Sequence, residues 1–143
     1  LKSVTLMAPA GIAHPQVPFG DIFLWTAEQA ARAQFHNQEL AEKRLAIKPD
    51  LDIVLQNKAA VARLAWQPRL SNPQLAYWIH RIDKPAALIW GRQDKVVPYA
   101  CHEAWTAGVP GLRLHTIDEC GHAIHNEKAA EAAALITTHC AGA

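Results

Sequence analysis

"ALIWGRQDKVVP", residues 87–98, decides how the rest of the chain is read. Ala87, Leu88, Ile89 and Trp90 form an apolar run with no polar alternation, the pattern of a strand covered on both faces. Gly91 stops it, and Arg92, Gln93, Asp94 and Lys95 follow before Val96, Val97 and Pro98. Such a strand belongs in a parallel sheet flanked by helices. In these sheets ligands and reactive groups collect beyond the carboxyl ends of the strands. Asp94 therefore stands where a working carboxylate would stand. On its own it fits equally a turn residue whose carboxylate binds nearby backbone amides.

Downstream, the pattern alternates cleanly. Pro98 suits the first turn of a helix running from Tyr99 to about Ala107, and Gly108, Pro110 and Gly111 end it. Leu112–Ile117 (LRLHTI) reads as a strand, 118–125 as a loop, and Glu127 to about His139 as an Ala-rich helix. Strand, helix, strand and helix with short links are the signature of parallel βαβ units, hence an α/β fold. Upstream, Lys2–Ala8 (KSVTLMA) predicts a third strand that stops at Pro9 and Gly11. A loop dense in proline follows (Pro9, Pro15, Pro18).

Three helices are then expected. Thr26 with Gln29 forms a capping box for a helix from Ala27 to about His36. A second spans Asn37–Ile47. Asp50 caps a third, on which Ile53, Val54, Val61 and Leu64 or Ala65 fall on one stripe. Residues 70–82 read as short, irregular and aromatic. The helical run from 26 to 66 is thus an insertion between two strands, placed to cover the carboxyl edge of the sheet. The expected organisation is core strand and loop over 1–20, a helical cap over 21–80, and the carboxyl-terminal core over 81–143. The fold class is α/β with about three parallel strands.

Composition limits the function. With 143 residues, 50% of them hydrophobic and 19% charged, the chain suffices for one domain. A net charge of +1 without basic runs argues against nucleic acid or an anionic membrane as partner. No apolar window of about 18 residues predicts a membrane span. Cys101, Cys120 and Cys140 are an odd number without a close pair, which speaks for a reducing, cytoplasmic location. His122, His125 and His139 lie near cysteines, but no CxxC or HExxH element accompanies them, so no metal is expected.

The chemistry lies in Asp94 and His122. Each follows the end of a strand, and parallel neighbours bring those ends together. A carboxylate against one imidazole nitrogen fixes the tautomer and leaves the other nitrogen as a general base. The surrounding motifs, W-G-x-x-D-x-x-V-P at 90–98 and C-G-H-x-x-x-x-E at 120–127, resemble the carboxyl-terminal half of an α/β-hydrolase-fold enzyme. "VTLMAPAGI" is similar to the strand and loop after that family's nucleophile helix, and the helical region occupies the place of its cap.

The resemblance implies Asp94 as triad acid and His122 as general base. It gives Gly121 the role of a tight-turn residue and places Glu127 at a helix start. It further implies hydrolysis of an ester or related acyl bond in a small, apolar substrate, without metal or organic cofactor. The chain departs from the family in lacking a G-x-S-x-G elbow, for its only serines are Ser3 and Ser71. Leu1 also begins inside a strand. Both features predict a fragment that lacks its nucleophile and is inactive alone. Cys120, two residues from His122 on one loop, reads as a packing residue rather than a nucleophile. The alternatives are an epoxide hydrolase or dehalogenase relative with an Asp nucleophile, a carbon–carbon hydrolase ranked lower because Ala123 is not aromatic, or a non-catalytic partner-binding fragment.

Overall fold

The structure, a computed structural model, describes residues 1–142. Its centre is β2, Ala86–Gly91, all six residues of which are buried. Leu88, Ile89 and Trp90 have no exposed surface, because helices or loops cover both faces. β1 (Val4–Met7) and β3 (Arg113–Ile117) flank it, both parallel, in the order β1-β2-β3. Val4 pairs with Ala86, and Ala87 pairs with Arg113. This register brings the carboxyl ends of β2 and β3 side by side, at Gly91 and Ile117.

The connection from β2 to β3 begins as a 3-10 turn, Tyr99–Cys101, before the α-helix His102–Gly108. Trp105 from that helix joins Val97, Val109 and Ile124 in the main core. The chain ends in an α-helix, Ala129–Ala141, that buries Ala132 and His139. His139 Nε2 lies 3.2 Å from the Pro85 carbonyl at the start of β2.

The connection from β1 to β2 carries the helices. They are α1 (Ala27–Gln34), α2 (Gln38–Ala46), α3 (Leu51–Ala65) and a single turn, α4 (Leu75–Trp78), continued by a 3-10 turn at Ile79–Arg81. In chain order α5 is His102–Gly108, α6 is Ile124–Glu127 and α7 is Ala129–Ala141. The caps expected at Thr26 and Asp50 form, Thr26 with Gln29 as a capping box, and Asn37, expected as the first residue of its helix, stands just outside it as a cap.

Two expectations are corrected. The stripe on α3 is not a core face, since no α3 residue is buried and Ile53 and Leu64 are exposed. Periodicity reports amphipathicity, whereas burial needs a partner element packed over the stripe. The loop after β3 is also shorter than expected, because α6 starts at Ile124 within it.

Candidate functional site

The turn after β2 is built around Asp94. Its carboxylate Oδ1 accepts the N–H groups of Val96 (2.8 Å) and Val97 (2.9 Å), while Oδ2 lies 2.8 Å from His122 Nδ1. Asp94 thus closes the turn with one oxygen and meets His122 with the other. The Asp94 side chain is wholly buried and that of His122 is 30% exposed. An ionised carboxylate only accepts, so Nδ1 carries the hydrogen in this pair. The Nε2 lone pair is then directed away from Asp94, and Nε2 has no protein partner among the described residues. The structure thus brings Asp94 and His122 together from the ends of β2 and β3.

Other residues fix that approach. Gln93 is tied to the histidine loop twice. Its N–H donates to the Cys120 carbonyl at 2.9 Å, and its side-chain Oε1 accepts the Cys120 N–H at 3.0 Å. Trp90 Nε1 donates to the Val97 carbonyl at 3.0 Å beneath the turn. Gly91 is needed for close approach, since a β-carbon there would run into the carbonyls of Cys120 and Gly121. Arg92 stays exposed, paired with Asp118 and stacked over Tyr99, and the ion pair raises its pKa.

Cys120 is fully buried, and burial pushes its thiol up to about 12, helped by the negative charge of Glu127. It packs as a neutral side chain beside His122. Burial raises the Cys101 thiol as well.

The roles given to Gly121 and Glu127 change. Glu127 ends α6 instead of beginning a helix, and its carboxylate folds back to accept the N–H of Gly121 (2.5 Å) and of Asn37 (2.7 Å). Gly121 is required by space rather than by turn geometry. A β-carbon on it would lie 2.6 Å from the Gln34 carbonyl oxygen and 2.8 Å from the His36 nitrogen. Neither contact was readable, because the partner segment is α1–α2. The one signal for Glu127 was its fixed offset from His122 in the motif.

No hydrogen bond joins Ser3 or Ser71 to His122 among the described residues; Ser71 bridges to Gly11 instead. Two apolar openings lie in the helical connection. One of about 390 Å³ is bounded by Ile22, Phe23, Val61 and Trp66. A second, of about 260 Å³, lies between α1 and α3 and is bounded by Trp25, Ala30, Leu45 and Val54. Neither is lined by Asp94 or His122. Phe23 and Trp66 meet edge to face at 5.2 Å, with Arg69 over both rings, whereas Tyr77 and Trp78 are exposed.

Comparison with known proteins decides the family: the sequence profile of the alpha/beta hydrolase fold matches residues 9–129. The chain belongs to the α/β-hydrolase fold family. Among curated members, a 2-hydroxy-6-oxononadienedioate/2-hydroxy-6-oxononatrienedioate hydrolase of Pseudomonas putida is 36% identical over 62 residues, 43% of this chain and 21% of that protein. A monoacylglycerol lipase of Xenopus laevis is 29% identical over 59 residues, 41% of this chain and 18% of the lipase.

Among solved α/β hydrolases, a meta-cleavage product hydrolase superposes with a TM-score of 0.72 at 19% identity, covering 99% of this chain and 56% of its own. A serine hydrolase involved in carbazole degradation gives 0.73 at 18% identity, covering 100% and 55%. This α/β-hydrolase-fold chain spans about half the length of those structures, and its matched segment is about a fifth of the curated relatives. Among the described residues, no three His, Cys, Asp or Glu side chains converge as for a metal, and no helix is long and apolar enough to cross a membrane.

Proposed function

We propose that the chain supplies the acid and the general base of a hydrolase that cleaves an ester or related acyl bond in a small, apolar substrate. The observation that carries this reading is the 2.8 Å pairing of Asp94 Oδ2 with His122 Nδ1, which leaves Nε2 without a protein partner. A base so arranged takes the proton of an attacking hydroxyl at Nε2 while its Nδ1–H stays with Asp94, whose charge stabilises the imidazolium. It then returns the proton to the leaving group, and a water attacks by the same route to free the acyl group. The nucleophile in this reading is a serine outside these 143 residues. Residues 21–80 act as the cap, with the Phe23–Trp66 opening offering apolar surface to the substrate, which would be met in the cytoplasm.

A second reading, hydrolysis of a carbon–carbon bond, draws on the likeness to the Pseudomonas putida dienedioate hydrolase. It uses the same Asp94–His122 pair on a different acyl group.

The coding sequence before the Leu1 codon tests both. An in-frame G-x-S-x-G about 20 to 30 residues upstream is the expected result. An Asp at the elbow would transfer the reading to an epoxide hydrolase or dehalogenase relative, and a start codon directly before Leu1 would leave a partner-binding chain. In the enzyme so assembled, His122→Ala should lower ester turnover by about 10⁴-fold or more. The 143-residue chain alone should turn over no ester, and robust turnover by it would overturn the reading.

A further inference from the structure

The histidine loop is gripped on a second side by a segment far away in sequence. Asn37 is the N-cap of α2, and its side chain already accepts the Glu39 N–H at 2.9 Å. Its backbone N–H, at the positive end of α2, is taken by Glu127 Oε1 at 2.7 Å. The other oxygen of the same carboxylate takes the N–H of Gly121 at 2.5 Å. Gly121 precedes His122, so any shift of Gly121 moves the imidazole with it. The contact is reinforced alongside, where the Ala123 N–H donates to the Gln34 carbonyl at 3.0 Å. Ala31, Phe35, Ala41 and Ala123 close a small apolar cluster separate from the main core. Gly121 has no room to move toward α1, since backbone atoms of Gln34 and His36 already fill the place of its missing side chain.

We propose that Glu127 is a positioning residue: its carboxylate ties the α1–α2 joint to the peptide before His122, so that the seat of that joint sets the orientation of the imidazole against Asp94. This rests on the reading of His122 as general base. The carboxylate is suited to the task because it offers two acceptor oxygens. Gln offers one oxygen and would turn an NH₂ toward the other N–H. Asp keeps the charge but is one methylene too short to span both amides.

The test uses nuclear magnetic resonance of the chain with Glu127→Gln and Glu127→Asp. Two quantities are read: amide exchange at Asn37 and Gly121, and the proton signal of His122 Nδ1–H. Both variants should speed exchange at these two amides by about ten- to a hundredfold, the factor one charge-assisted hydrogen bond is worth. In both, the Nδ1–H signal should broaden or shift as its bond to Asp94 loosens. The Asp variant keeps the negative charge, so a change there comes from the lost span and not from electrostatics, and it also serves if the Gln variant does not fold. Unchanged amide exchange, or faster exchange with an unaltered Nδ1–H signal, would overturn the proposal. Failure of the general-base reading is seen elsewhere, as full turnover by His122→Ala in the assembled enzyme, and leaves these signals as they are.

Discussion

Asp94 divides its carboxylate between a fold and a site. One oxygen closes the turn on the Val96 and Val97 amides, and the other holds His122. A fully buried carboxylate is tolerable only when its acceptor sites are filled, and this one is filled by backbone amides and an imidazole N–H. The neighbouring thiol shows the opposite treatment. Burial keeps Cys120 protonated, pushed up to about 12 from an ordinary value of 9.0, because the desolvation and the negative charge of Glu127 outweigh the opposing charge of Lys128. A raised folded-state pKa gives a contribution to stability that is complete below about pH 9. It is lost as pH rises from there toward 12, because the unfolded chain releases the proton first. Urea unfolding between pH 8 and 11 should therefore show stability falling above pH 9, with a shallower fall in Cys120→Ala. At pH 8 the exposed Cys140 should react with a thiol reagent in the native chain, while Cys101 and Cys120 react only after unfolding. Rapid native labelling at Cys120 would contradict its burial.

At the scale of elements, what the sequence disclosed depended on whether a signal is local. The caps at Thr26, Asn37 and Asp50 involve residues two or three positions apart, and each helix begins where its cap stands. The apolar run of β2 has no polar alternation, and both its faces are covered. The strand ends that carry Asp94 and His122 were equally plain, because parallel neighbours of similar length must align them. The stripe on α3 and the span of Glu127 were not legible. Both depend on which distant segment arrives opposite, which no short window contains. Leu88 and Leu64 make the contrast measurable, since both lie on apolar patterns but Leu88 is fully buried and Leu64 is 89% exposed. Leu88→Ala should cost about 2–5 kcal/mol in denaturant unfolding, whereas Leu64→Ala should stay within about 0.5 kcal/mol. Equal losses would mean that α3 is covered by something these contacts do not include.

For the molecule as a whole, the consequential feature is the outer edge of β1. Val4 and Ala8 donate to the carbonyls of Pro85 and Ile89, on the β2 side. Because a strand alternates its hydrogen-bonding direction, the N–H groups of Thr5 and Met7 face the other way, where no strand pairs with them among the described residues. Natural sheets blunt such an edge with charge, proline or a bulge, and the VTLM of β1 has none of these. Exposed Leu51, Ile53, Leu55 and Trp66 on and beside α3 add apolar surface. The isolated chain should accordingly self-associate as concentration rises, seen by light scattering after size exclusion. Thr5→Pro discriminates the cause. It removes an outward N–H and no ladder bond, and the residue before proline favours the extended backbone already present. If the β1 edge drives association, Thr5→Pro should shift the population to monomer while the unfolding midpoint changes little. If association persists undiminished, the apolar face around α3 is responsible instead. A chain monomeric at all concentrations would show that this edge is not available to a second copy.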